Sequence, residues 1–214
     1  MGTSTENRFI AAGGRGHWEA VYAQRDADQL SWFQRDPGVS LQLIDACALE
    51  PDAPLIDVGG GASVLVDHLL DLGYRDLTVL DLSGAALACS RTRLGGRASL
   101  VHWMEADLLE FRPTRQYALW HDRALFHFMT EPDQRRRYVR ALDRSLQPGG
   151  RAIIATFSRS GPRRCSGLDI VQYDAPALLA QLGTGFELQQ QVDEAHRTPA
   201  GAVQNFSYFL LRRT

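Results

Sequence analysis

The chain has 214 residues, 44% of them apolar, and a formal charge of −2. That length holds one α/β domain with a full core. The balanced charge lacks the basic excess of a nucleic-acid binder, and no stretch reaches the roughly 20 apolar residues that cross a bilayer, so neither partner is expected.

Residues 1–8 are polar and lack the apolar core of a signal peptide, and Glu6 stands where a myristoylation signal takes Ser or Thr. A cytoplasmic protein is the default expectation. Residues 16–34 space Trp18, Val21, Tyr22, Leu30, Trp32 and Phe33 at helical intervals with a break near Asp28, an amphipathic cap ahead of the main fold. Asp36-Pro37-Gly38 makes a turn, and 41–49 reads as a second short helix. Residues 1–50 are thus a helical cap and residues 51–214 one compact domain.

From residue 54 strands and helices alternate. Strands are expected at 54–58, 76–81, 99–103, 117–121 and 151–157, helices at 63–72, 83–94, 131–146 and 174–182. This alternation predicts right-handed β-α-β units, hence an α/β, doubly wound, mostly parallel sheet with helices on both faces. Pro148-Gly149-Gly150 ends a helix and leads into the next strand. The last segments, 186–196 and 202–212, are joined by Thr198-Pro199-Ala200-Gly201, turn chemistry that suits an antiparallel hairpin at the edge of a seven-stranded sheet.

Every Lys-or-Arg position is arginine. With no lysine there is no pyridoxal Schiff base, no Walker A lysine and no side-chain amine nucleophile. The wealth of Arg, Ala, Leu and Gly suggests a GC-rich bacterial coding bias. Cys47, Cys89 and Cys165 form no C-x-x-C pair, so no metal site or disulfide framework is expected.

The chemistry concentrates at strand ends. Leu55-Ile56-Asp57-Val58-Gly59-Gly60-Gly61 is an apolar run closed by an acid and three glycines, and Leu77-Thr78-Val79-Leu80-Asp81 repeats the plan. Glycines let a backbone approach a ligand closely, and a carboxylate can accept from both hydroxyls of a ribose. The pair predicts a nucleoside-containing cofactor across the tops of two parallel strands. A dinucleotide fingerprint would need a third glycine where Val64 stands. The Asp57-x-Gly59-x-Gly61 pattern instead resembles motif I of the class I methyltransferases, with Ser63 in place of a frequent third glycine.

The resemblance continues through Glu105-Ala106-Asp107, the segment from Leu119 to Phe128, and the Leu-x-Pro-Gly-Gly run before an apolar strand, covering roughly residues 50–157. It implies S-adenosylmethionine as methyl donor and S-adenosylhomocysteine as product. Asp107 is favoured for the adenine amino group and Asp81 would hold the ribose, with Leu82 and Leu108 beside them; a helix N-cap is the alternative for Asp107, and the two roles can coexist. His17-Trp18-Glu19-x-x-Tyr22 and Ser31-Trp32-Phe33 resemble aromatic elements of a branch that includes protein-lysine methyltransferases and bacterial relatives. That likeness puts Tyr22 and Trp32 at the cofactor and leaves Trp18 as packing; a simple hydrophobic staple is the alternative.

His121 and His127, just after the fourth strand, are the best-placed bases, although His121 can instead line the methionine pocket and His127 can be a core residue. Arg163 and Cys165, in an unusual loop after the fifth strand, and His196 at the hairpin are candidates for contacting the acceptor. The expected activity is methyl transfer to a small-molecule thiol, hydroxyl or amine by a monomer or homodimer. A protein-lysine methyltransferase is the alternative, and a donor-binding protein without catalysis ranks third.

Overall fold

The computed structural model describes residues 13–214; the polar start of the chain and the reading of Glu6 lie outside the described residues. In chain order the elements are α1 (Gly14–Gln24), α2 (Gly38–Asp45), β1 (Leu55–Val58), α3 (Leu65–Asp71), β2 (Leu77–Asp81), α4 (Gly84–Leu94), β3 (Val101–Glu105), β4 (Tyr117–Arg123), α5 (Pro132–Ser145), β5 (Leu146–Phe157), β6 (Arg164–Cys165), β7 (Leu168–Asp169), α6 (Ala175–Leu182), β8 (Phe186–Arg197) and β9 (Val203–Arg213).

Seven strands form one sheet in the order β3-β2-β1-β4-β5-β9-β8. β1 to β5 pair in parallel, and β9 runs antiparallel to both of its neighbours. Every residue of β1 and β2 is buried, as continuous apolar strands covered on both faces should be. Side chains alternate across β4. Trp120 and Asp122 reach Tyr138 of α5, while His121 reaches Ser40 of α2 on the opposite face. The order reverses between β1 and β4, which opens a crevice at the strand carboxyl ends.

The differences from expectation have local causes. The cap breaks at Arg25, where the backbone turns extended, not near Asp28. α2 starts directly after Pro37, three residues earlier than expected, and closes at Asp45 as the Cys47 N–H bonds the Ile44 carbonyl. β3 starts two residues later than expected because residues 95–100 continue as a tight 3-10 turn. α3 opens at Leu65, and the Ser63 hydroxyl accepts from the Leu65 N–H at 3.1 Å. β5 begins straight after α5 and loops out at Gln147–Gly150, where its register against β4 jumps and Gly149 takes φ +74°. The arginine-rich loop after β5 contains an unforeseen hairpin, β6–β7, whose turn residues Ser166 and Gly167 both have positive φ, the signature of a tight two-residue turn.

Candidate active site

The three glycines after β1 fold over two carboxylates. Gly59 has φ +68° and donates to the Leu80 carbonyl at 2.7 Å, tying the loop to the end of β2. A Cβ on Gly61 would lie 2.6 Å from Asp81 Oδ2, so only glycine lets that carboxylate sit against the loop. Asp57 lies beneath Gly60 and accepts from His121 Nδ1 at 2.7 Å, while His121 Nε2 is hydrogen-bonded with the Ser40 hydroxyl at 2.9 Å.

Asp81 accepts from the Ser83 N–H at 2.8 Å. Burial raises its carboxyl to about 7, although the Ser83 N–H pulls the other way and the Asp57 charge adds to the rise. Asp107 caps a short 3-10 turn by accepting from the Leu109 N–H at 2.8 Å, and burial raises its carboxyl as well. Both acids line one cavity of about 730 Å³, together with Leu82 and Leu108. The capping role expected for Asp107 is therefore present, and a second face of the same side chain is turned to the cavity.

α1 forms the roof. Its Arg15 pairs with Glu105, and Glu19 accepts from the Ala85 N–H at the start of α4 at 3.3 Å. This docking brings Trp18 and Tyr22 into the cavity wall beside Trp32 and Phe128. The rings meet edge to face: Trp18–Trp32 at 5.9 Å, Trp18–Phe128 at 5.2 Å and Tyr22–Trp32 at 6.4 Å. Trp18, read from the sequence as packing, does both: it packs on Phe128 and faces the cavity.

A second cavity of about 560 Å³ adjoins the first, lined by Asp57, Gly60, Ser63, His121 and Gln34 among others. The two share Tyr22, Trp32, Gly59 and Arg123. Arg123 is the residue that sequence reasoning missed. It is the only guanidinium in either wall among the described residues. Its Nε donates to the Tyr208 hydroxyl and one Nη to the Trp32 carbonyl, both at 2.8 Å, and its Cζ lies 4.4 Å from the Phe206 ring centre. The other nitrogen, Nη2, is buried 3.8 Å from Glu194 and makes no hydrogen bond. The signal was the strand end itself: β4 runs two residues past the expected limit and carries Arg123 to the crevice.

The remaining candidates separate. Cys165 lines the first cavity, and burial pushes its thiol up to about 12. His121 lines the second, with both ring nitrogens engaged. His127 is in neither wall. It is fully buried between Phe128 and Phe157, at ring distances of 4.5 and 4.8 Å, and burial lowers it to about 3. His196 is also outside the walls, donating to the Ser31 carbonyl at 2.8 Å, and burial and the Arg123 charge lower its pKa. Arg163 is exposed and apart from both cavities. No cluster of metal-ligating side chains occurs among the described residues, and none of their helices is long and apolar enough to cross a membrane.

Residues 55–150, from the glycine loop to the entry of β5, match the family model for a methyltransferase domain. The chain carries a methyltransferase domain. Among curated proteins this domain is similar to the mouse eEF1A lysine and N-terminal methyltransferase, 26% identical over 157 residues, which is 69% of this chain and 22% of that protein. The chain thus spans about a fifth of that relative's length. Two solved structures share the fold. One is described as the conversion of a disulfide bond into a thioacetal group during echinomycin biosynthesis, with a TM-score of 0.74, 21% identity, and 93% of this chain and 91% of that one covered. The other is the Burkholderia thailandensis 1,6-didemethyltoxoflavin-N1-methyltransferase with bound 1,6-didemethyltoxoflavin and S-adenosylhomocysteine, with a TM-score of 0.66, 21% identity, and 94% and 84% covered.

Proposed function

We propose that this chain is an S-adenosylmethionine-dependent methyltransferase acting on a small-molecule acceptor. The observation that carries the reading is one roofed cavity with carboxylates Asp81 and Asp107 on the β2–β3 side and an aromatic box of Trp18, Tyr22, Trp32 and Phe128 elsewhere in its wall. The residues fit the donor. A buried carboxylate under a cradle that a Cβ would fill suits a ribose diol, and a half-buried acid with a free oxygen suits the adenine amino group. Arg123 and the N–H groups of the glycine loop would take the methionine carboxylate, with Asp57 and Gly61 shaping the loop. The donor supplies an electrophilic methyl on a sulfonium; aromatic faces attract such a cation and keep water out. The protein's part is then positioning, worth several kcal/mol and up to roughly 7–11 in favourable models.

An apolar cavity walled by aromatic rings suits a small acceptor, and the similar structures are described by a disulfide-to-thioacetal conversion in echinomycin biosynthesis and by bound 1,6-didemethyltoxoflavin. The second reading is a protein-lysine methyltransferase, favoured by the eEF1A-directed relative. Calorimetry with S-adenosylmethionine tests the donor: micromolar binding is expected, lost or greatly weakened in Asp81→Ala. Incubation with labelled donor and a bacterial lysate tests the acceptor. Label in the small-molecule fraction supports the first reading, and label in a protein band the second.

A further inference from the structure

The first cavity divides along the sheet. Asp81 and Asp107 stand at the ends of β2 and β3, whereas Phe128, Met129 and Cys165 follow β4 and β5, on the other side of β1. Trp18 and Trp32 close the box over this second end. Each group there that exchanges a proton is committed elsewhere or far from its usual range. The Cys165 thiol is pushed up to about 12 by burial, and the Tyr22 hydroxyl is raised by burial and by the Asp81 charge. Arg123 is a cation with no lone pair to accept a proton, and its Nε and one Nη donate to Tyr208 and Trp32.

The histidines offer no base either. His121 has both nitrogens bonded, to Asp57 and Ser40, and His196 bonds the Ser31 carbonyl outside the wall. His127 is sealed in the core, and His17 bonds the Ser166 hydroxyl at 3.3 Å, also outside the wall. Among the described residues, no free base faces the acceptor end.

Resting on the methyltransferase reading, we propose that the acceptor attacks as a neutral molecule through a lone pair it already carries, a thioether sulfur or an uncharged amine nitrogen, and that hydroxyl acceptors are excluded. A hydroxyl must lose its proton as it reacts, which needs a base that this end lacks. A thioether needs none. Its lone pair forms the new sulfur–carbon bond while the donor's sulfur–methyl bond breaks, and the breaking pair stays on the donor sulfur. The positive charge passes from donor to acceptor and no proton moves. An amine likewise leaves as a cation and sheds its proton in water. In either case the product charge is formed inside the aromatic box, where ring faces attract cations.

The protein, its donor binding first measured by calorimetry, is given labelled S-adenosylmethionine and three probes of similar size: thioanisole, aniline and phenol. Methylation of thioanisole and aniline is expected, with phenol at least a hundredfold slower and the thioanisole rate flat from pH 6 to 9 at saturating donor. Apart from turnover, trimethylsulfonium should quench tryptophan fluorescence of the protein saturated with S-adenosylhomocysteine, and tert-butanol at equal concentration should not. Comparable methylation of phenol, a thioanisole rate rising with pH, no quenching by trimethylsulfonium, or no transfer to thioanisole and aniline despite bound donor each overturns the proposal. Absence of donor binding removes the methyltransferase reading itself.

Discussion

His121 and Asp57 are partners twice over: their Cα atoms are paired in the β1–β4 register, and His121 Nδ1 donates to Asp57 Oδ1 at 2.7 Å. Both side chains are buried, and the carboxylate supports the underside of the glycine loop. His121→Ala would leave that carboxylate without its partner. The expected loss is about 3 kcal/mol of unfolding free energy, the scale for orphaning a buried charged acceptor. Chemical denaturation measures it. His121→Asn, which keeps a donor, should recover part of the loss; a variant as stable as the parent would mean that the pair does not hold the loop.

Much of this was legible in the sequence, and the reason is locality. The apolar runs ending in Asp57 and Asp81 and the hairpin around Thr198-Pro199-Ala200-Gly201 are each specified within a few residues. What escaped is non-local. Arg123 acquires its place only when β9 brings Tyr208 and β8 brings Glu194 across the sheet. His127 has the sequence context of a site residue, yet Phe128 and Phe157 enclose it. The tight turn at Ser166-Gly167 carried a usable signal, a two-residue Ser-Gly link, but its strands have only two residues each.

Asp81 gives a pH dependence with a definite sign. Its carboxyl is raised to about 7 in the folded chain, against about 3.9 for an unperturbed aspartate. The folded state therefore holds a proton that the unfolded state has released between these values, so stability falls as pH rises from about 4 to about 7 and levels off above. Asp81→Asn removes this dependence. The variant should melt higher than the parent at pH 8 and show no such gain at pH 4, while binding S-adenosylmethionine more weakly at both. Equal melting shifts at the two pH values would show that Asp81 is not held protonated by burial.

Residues 31–34, which follow the roof helix α1, are latched by three bonds, two to the β8–β9 hairpin and one to the end of β4. His196 donates to the Ser31 carbonyl, Arg123 to the Trp32 carbonyl, and the Gln34 amide to Glu194, each at 2.8 Å. The double variant Gln34→Ala/His196→Ala removes two of them, at a cost of about 1–3 kcal/mol in total. Trypsin cuts only after arginine in this chain, and Arg25 and Arg35 flank the segment. Cleavage at these two sites should quicken several-fold in the double variant, read by mass spectrometry, and slow again with S-adenosylhomocysteine present. An unchanged digestion rate would mean that the latch does not hold the roof.

Cys165 lines the cavity yet should be a poor nucleophile. A thiol raised to about 12 by burial has, at pH 8, a thiolate fraction on the order of 10³-fold below that of a free cysteine. Iodoacetamide at pH 8 should leave Cys165 unmodified in the native protein over a period in which free cysteine reacts completely, and modify it once the chain is unfolded in urea. Peptide mapping distinguishes it from Cys47 and Cys89. The thiol is then wall, not reagent, and Cys165→Ala should retain methyl transfer within a few-fold while enlarging the acceptor end. Rapid native alkylation, or loss of turnover in Cys165→Ala with donor binding intact, would return the thiol to the chemistry.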